Sequence, residues 1–207
     1  MDINYLQLTS AIFIGLASGY LGSFMVLKRM ALVGDALSHV ALPGVALALI
    51  FNINPFFGAF ATLFAGIVGI WLIEYKTELP AESVVGLFFT FALAVGLLIT
   101  PEPELLEALF GDISKISNLD TVLAIILSIT VILVMRSISK GFILGTISKD
   151  LAKASGVKIA RENFIFMFLI ALIVALGIKS VGTLLMGALV IIPAIASKNV
   201  SSSMSGY

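Results

Sequence analysis

The sequence contains no cysteine, only one histidine and few charged residues. Without cysteine, the chain cannot form disulfides, thiolate metal sites or a cysteine nucleophile. Its charged fraction of 12% compares with about 25% in an average soluble domain, which leaves too little polar surface for a water-soluble globule. The formal net charge of +0 provides no basic surface for nucleic acid, so we expect no nucleic-acid partner.

A Gly-Lys dipeptide, which a phosphate-binding P-loop requires, is also absent from the sequence. This absence excludes ATP hydrolysis of the usual P-loop kind by the chain alone. We therefore predict that the chain is not an enzyme and binds no cofactor of its own. Any ATP-driven work is expected in a partner subunit.

Apolar residues are abundant: 60% of the chain is hydrophobic, and the mean hydropathy is +1.16. A helix that crosses the hydrocarbon core of a lipid bilayer needs about 20 apolar residues. Charge-free runs of this kind predict an all-α, polytopic transmembrane helical bundle that forms a single domain over residues 1–207. The predicted spans, about seven, are 6–27, 30–51, 55–73, 83–100, 119–135, 163–178 and 181–197.

The basic residues are unevenly shared between the loops of this topology. All of the 12 Lys and Arg residues except Lys115 and Lys179 fall on one side of the predicted spans. Basic residues concentrate in cytoplasmic loops. This rule places the N-terminus outside and the stretch 136–162 in a cytoplasmic loop.

Asp35 and His39 are ionisable residues inside the second predicted span. A charged Asp near the middle of such a helix costs about 2.5–3.5 kcal/mol, so it needs compensation. The i, i+4 spacing places both residues on one helix face, and their oxygen and nitrogen atoms suit zinc, manganese or iron(II). We predict that they line a metal-translocation path, where a symmetric homodimer would supply two of each. The alternative is that they only form buried polar contacts within the bundle.

Two prolines are predicted to break helices, because proline cannot donate to the carbonyl four residues earlier. Pro43 would leave the carbonyl oxygen of His39 free beside the predicted metal ligands. Pro193 would free the carbonyl of Leu189, which marks either a gating kink or a packing kink near the helix end.

The predicted cytoplasmic loop contains signals for a short helix. Ser148 can cap it, Asp150 favours its first turn, and Gly156 can end it. A short helix outside the membrane would serve as a lever for an ATPase. The alternative is an ordinary basic loop that only sets the topology.

The predicted outer loop 101–118 is acidic and contains a single basic residue, Lys115. On the outer face it is predicted to form a gate or docking surface that attracts cations or a binding protein. The alternative is an ordinary solvated loop. Its acidic residues are Glu102, Glu104, Glu107 and Asp112.

Four stretches of the chain resemble motifs of one transporter family. The run Val26–Pro43, VLKRMALVGDALSHVALP, resembles the hallmark of the zinc, manganese and iron-chelate ABC permeases, the ABC-3 family. Leu109–Ile113 resembles the family's outer-loop signature, and Lys149–Val157 resembles its cytoplasmic coupling segment. Val181–Leu189, with Pro193 and Ala194 beyond it, is similar to the late transmembrane motif.

The resemblance implies a fold similar to that of the vitamin B12 importer permease and transport of Zn²⁺ or Mn²⁺, with Fe²⁺ also in the family's range. It implies a permease homodimer in a prokaryotic inner membrane, a cytoplasmic ABC ATPase, and an extracellular or periplasmic metal-binding protein. Such permeases usually continue with further membrane helix, so we expect a C-terminal truncation here. The ATPase-coupling residues would be Ser148, Lys149, Asp150, Leu151, Ala152, Ser155 and Gly156.

Two other functions are compatible with the residues. In a secondary transporter, Asp35 and His39 would form a proton relay. A membrane scaffold would have no transport path, and Asp35→Asn or His39→Ala would then change assembly instead of uptake. An ATPase partner distinguishes the ABC permease from the secondary transporter.

Overall fold

The structure, a computed structural model, describes residues 5–77, 79, 81–100, 102–112 and 116–201. Within these ranges, every regular element is an α-helix, as the sequence predicts for its fold class. The helices are α1 (Tyr5–Leu27), α2 (Ala31–Val40), α3 (Leu42–Ile50), α4 (Pro55–Lys76), α5 (Ala81–Ile99), α6 (Glu102–Phe110), α7 (Asn118–Ile147), α8 (Lys149–Ala154) and α9 (Ile159–Val200).

The second predicted span is divided at Ala41 into α2 and α3. Pro43 lies in the first turn of α3, where a missing N–H costs little because the first donors of a helix have no partner within it. The backbone N–H of Ala41 at the junction donates to the carbonyl oxygen of Leu37 at 3.3 Å. Ala41 itself keeps helical backbone angles, φ −71° and ψ −23°, so the division between the two helices is slight. The free carbonyl oxygen of His39 stays a prediction.

Helix α7 is longer than the corresponding predicted span, which ends at residue 135. It continues without interruption to Ile147, so 136–147 is helix and not loop. At about 1.5 Å per residue, its 30 residues exceed the roughly 30 Å of the hydrocarbon core. The helix therefore extends past the membrane and carries the basic residues Arg136 and Lys140.

Helix α9 contains a single non-helical residue, Gly182, with φ 74° and ψ 173°. A β-carbon on Gly177 would collide with the sulfur of Met186. Residues this far apart along an unbroken helix are separated by about 13 Å, so the chain turns back near Gly182. Pro193 lies inside the helix. The kink predicted at Pro193 stays a prediction. The observed interruption is at Gly182, whose backbone conformation excludes side chains.

Six helical stretches of the described chain are long and apolar enough to cross a membrane. Together, α2 and α3 provide one of these stretches, and the whole of α9 counts as one. The seven-span topology stays a prediction, in which the parts of α9 before and after Gly182 cross separately. The first part forms the core. It packs against α1, α4 and α7, and all residues of 166–178 except Phe168 are buried.

Candidate functional site

Asp35 of α2 lines a cavity of about 240 Å³ between α2 and α5. The residue is exposed in the single chain. Glu82, from the first turn of α5, lines the same cavity, so carboxylates from two helices share one space. The remaining walls are mainly apolar and include Val33, Val85 and Phe89.

His39 lies one helical turn after Asp35 and is half-buried. Its ring meets the ring of Phe89 edge-on, with centroids 5.4 Å apart and planes at 69°. Its Nδ1 atom is buried and has no hydrogen-bond partner in the described part of the chain. An unpaired imidazole nitrogen is costly inside a protein. His39 does not line the cavity beside Asp35, so its role as a metal ligand stays a prediction.

The part of α9 that follows Gly182 packs directly on this region. Gly187 contacts the backbone and carboxylate of Asp35, while Gly34 faces the side chain of Val190. Gly22 of α1 contacts the carbonyl of Val190. Glycines at these positions allow backbones to approach closely, as in many membrane helix pairs. The position of Asp35 is therefore fixed by α9.

One chain supplies an incomplete donor set for a metal ion. Across the described residues, no group of three or more His, Asp or Glu side chains is placed to hold a metal. Structural and transport sites for zinc commonly use four donors, and manganese uses more. Asp35 and His39 thus need donors from water, from the backbone or from a second copy.

A polar network joins three helices at the opposite end of the bundle. Lys179 Nζ lies 2.5 Å from Asp120 Oδ2 in a mostly buried ion pair. Asn54 Nδ2 donates to Asp120 Oδ1 at 2.9 Å, and Ser117 forms a reciprocal capping box with Asp120 at the start of α7. One carboxylate therefore ties the N-terminus of α4 to α7 and to the part of α9 before Gly182.

A cavity of about 320 Å³ lies beside this network. Glu107 and Asp112 line it together with Lys179, so its charge is mixed and not purely acidic. The backbone N–H of Asp112 donates to the carbonyl of Lys179 at 3.2 Å. The side chains of Glu102 and Glu104 lie outside the described residues. A gate or docking role for these four acids stays a prediction.

The short helix predicted in the inner loop is present as α8. The Ser148 side chain accepts from the Leu151 N–H at 3.3 Å, Asp150 lies in the first turn, and Gly156 has φ 75° just after the helix. Ala152 is buried against the bundle, whereas Leu151 remains 57% exposed. The helix therefore presents an apolar side chain to the surroundings. Lys149 and Ser155 are exposed on it as well.

The comparisons with known proteins decide the family. The ABC 3 transport family matches residues 3–206. This chain belongs to that family. Among relatives of this ABC 3 protein, the manganese import system permease protein ScaB of Streptococcus gordonii is 35% identical over 199 residues, which cover 93% of the chain and 72% of the relative.

A second relative and a solved structure agree with this family assignment. The high-affinity zinc uptake system membrane protein ZnuB of Haemophilus influenzae is 34% identical over 218 residues, covering 100% of the chain and 82% of the relative. A solved structure of PsaBC from Streptococcus pneumoniae in complex with Fab has a TM-score of 0.80 and 28% identity, covering 97% of the chain and 74% of the matched chain. These findings confirm the resemblance, the polytopic helical fold and the membrane-spanning permease function of this ABC 3 protein.

Sequence reasoning missed several residues of this ABC 3 permease. Glu82 reads only as an acid at the end of a span, and no local spacing connects it to Asp35. The ion pair of Lys179 and Asp120 joins residues far apart in sequence, which a single sequence does not pair. Gly182 carried a usable signal, because glycine between two apolar runs often marks a backbone that other residues cannot adopt.

Proposed function

We propose that this ABC 3 permease imports Mn²⁺ or Zn²⁺, with Fe²⁺ as a further candidate, across a prokaryotic inner membrane. The names of its relatives supply the choice of cargo: ScaB is a manganese import permease, and ZnuB belongs to a zinc uptake system. The observation that carries the proposal is the exposed carboxylate of Asp35 beside a cavity within a transmembrane bundle.

The exposure of Asp35 supports a homodimer. A charged carboxylate facing lipid would cost about 2.5–3.5 kcal/mol or more, so the open face of its cavity must meet water or protein. A second copy on this face would enclose a shared conduit. Two copies of Asp35 and His39 would then supply the oxygen and nitrogen donors that manganese and zinc accept.

The energy for import comes from a cytoplasmic ABC ATPase in this proposal, because the sequence has no P-loop. The docking element is α8 with its flanking residues Ser148 and Gly156. Exposed Leu151 supports this role, since a lone apolar side chain on a polar surface helix makes a suitable anchor for a partner pocket.

The opposite end of the bundle would receive metal from an external binding protein. The cavity beside Glu107 and Asp112 opens at that end. This orientation, with the N-terminus outside, follows from the concentration of Lys and Arg at the α8 end of the molecule. The carboxylates would attract cations and the basic surface of a protein partner.

The test is uptake by proteoliposomes that contain the permease, its ATPase and its binding protein. We expect uptake of ⁵⁴Mn²⁺ or ⁶⁵Zn²⁺ that requires ATP and is unchanged when the proton gradient is collapsed. His39→Ala should lower uptake at least about tenfold, in the range found when groups around a metal are lost. Thr130→Val is the matched control, because this exposed hydroxyl bonds only to the Ile126 carbonyl of its own helix.

Three outcomes would contradict the proposal. Uptake that needs a proton gradient and no ATP would assign the chain to secondary transport. Normal uptake of manganese, zinc and iron by the His39→Ala variant would show that the imidazole has no role in the transport path. Assembly defects with unchanged uptake per assembled complex would favour a scaffold.

A further inference from the structure

Lys28 forms a cross-link between the ends of three helices near α8. It is the capping residue at the C-terminus of α1, and its Nζ donates to Asn163 Oδ1 of α9 at 3.1 Å. The same Nζ lies 5.5 Å from the centroid of the Phe142 ring on α7. Phe142 is itself fixed in the core, with its ring centroid 4.5 Å from that of Phe166.

The connection from Lys28 to the candidate metal helix is short and rigid. Arg29 has φ 62°, Arg29 N–H donates to Val26 O at 3.1 Å, and Met30 N–H donates to Met25 O at 2.8 Å. This pair of bonds is a Schellman turn, whose left-handed position is usually glycine. A left-handed arginine costs about 1–2 kcal/mol. The turn thus holds a strained geometry immediately before α2.

The connection from Asn163 to α8 is similarly short. Helix α8 ends in a second Schellman turn, in which Gly156 N–H donates to Lys153 O at 3.0 Å and Val157 N–H donates to Ala152 O at 2.9 Å. Helix α9 then begins at Ile159, and Asn163 lies one turn later. A displacement of α8 therefore reaches Asn163 through few rotatable backbone bonds.

The ammonium group of Lys28 depends on these partners. Burial lowers the pKa of Lys28, and the negative charge of Glu74 opposes that effect. A desolvated ammonium needs hydrogen-bond and ring partners in place of water. A change in the position of α9 relative to α1 therefore alters the environment of Lys28 directly.

We propose that Lys28 is a positioning residue that transmits movement of α8 through Asn163 to α2, and so to Asp35 and His39. The proposal rests on the ATPase docking and metal import described above. Packed side chains, hydrogen bonds and rigid helices are the physical means by which separate sites are coupled. Lys28 itself contacts neither the transported metal nor the ATPase in this account.

The experiment measures Mn²⁺ imported per ATP hydrolysed by the complete transporter in proteoliposomes. Lys28→Met keeps the length of the side chain but loses the donor, and Asn163→Leu loses the acceptor. Each should lower the ratio by about tenfold, the effect expected for loss of one charged hydrogen bond from a coupling step, while ATP hydrolysis and ATPase co-purification persist. The double variant should be no worse than either single variant, because both remove one interaction.

Conservative variants keep the test decisive if the apolar ones fail to fold. Lys28→Arg keeps a donor at position 28, and Asn163→Asp keeps an acceptor at position 163. Each variant should retain at least half of the wild-type ratio. Equal falls in uptake and hydrolysis, with an unchanged ratio, would show a structural role and overturn the proposal. Additive losses in the double variant would also overturn the proposal. The same holds if both conservative variants lower the amount of Mn²⁺ imported per ATP hydrolysed as much as the apolar variants do.

The wild-type measurement distinguishes failure of the proposed function from failure of the Lys28 proposal alone. If the wild type shows no ATP-dependent Mn²⁺ or Zn²⁺ uptake, the proposed function fails and the Lys28 proposal fails with it. If wild-type uptake is ATP-dependent and Lys28→Met keeps the full ratio, only the Lys28 proposal is overturned.

Discussion

Gly187 of α9 lies so close to Asp35 of α2 that a β-carbon on the glycine would be 2.6 Å from Oδ1 and 2.8 Å from Cα. Rotation of the Asp35 side chain could relieve the contact with Oδ1. The contact with Cα involves backbone, so it can be relieved only if a helix moves. The candidate metal ligand is thus held in place by the late helix, and a single methyl group at position 187 would displace it.

We expect Gly187→Ala to lower metal uptake at least about tenfold and to destabilise the permease by about 1–3 kcal/mol, the usual cost of overpacking. The measurements are uptake in proteoliposomes and thermal unfolding in detergent. Gly15→Ala is the matched control, because nothing lies within 4 Å of the added carbon. There, Ala should be neutral or slightly stabilising. Normal uptake by Gly187→Ala would show that the position of Asp35 is not critical.

Gly182 has a backbone conformation that only glycine adopts readily, and a β-carbon there would collide with the carbonyl of Leu109. Gly182→Ala should therefore cost more than the roughly 1–3 kcal/mol of backbone strain alone. A lower unfolding temperature in detergent would show this. Gly145→Ala, whose added carbon meets Ile159 at an ordinary 3.6 Å, should unfold like the wild type. Equal stability of the two variants would contradict the assigned turn.

Asp120→Ala removes an ion pair with Lys179, a hydrogen bond from Asn54 and half of a capping box. We expect a loss of about 2–3 kcal/mol, less than for a fully buried pair because the pair keeps some solvent contact. Chemical or thermal unfolding measures it. The double variant Asp120→Ala/Lys179→Met should recover part of the loss, because it no longer leaves an unpaired ammonium. A double variant less stable than Asp120→Ala would contradict this mechanism.

Leu151→Glu should reduce co-purification of the ATPase by at least about tenfold, because burial of a leucine side chain in a partner pocket is worth about 1.5–3 kcal/mol. The stability of the isolated permease should change by no more than about 0.5 kcal/mol, since the residue is exposed. Leu151→Met keeps an apolar side chain and should retain binding. Undiminished binding by Leu151→Glu would place the ATPase elsewhere.

The sequence predicted the fold class because apolar runs of this length are typical of helices that span a bilayer. It also predicted α8, since Ser148 and Gly156 are local signals read by the backbone beside them. Helix α7 continues to Ile147, beyond the predicted end of the span at residue 135. Arg136 and Lys140 are good helix formers that the helix carries beyond the membrane.

Prediction of the candidate site was less complete, for a physical reason. Asp35 and His39 were found because an ionisable residue inside an apolar span is conspicuous. The closeness of Glu82 and Gly187 to Asp35 could not be predicted, because it depends on how α5 and α9 pack against α2.

The most direct test of this account is the rate of ATP-driven Mn²⁺ uptake by the Asp35→Asn permease, reconstituted with its ATPase and binding protein. Asn keeps the size of the side chain but removes the negative charge that a divalent cation requires. The account predicts a fall in the rate of at least about tenfold, with normal assembly and ATPase binding. Uptake by Asp35→Asn at the wild-type rate would contradict it.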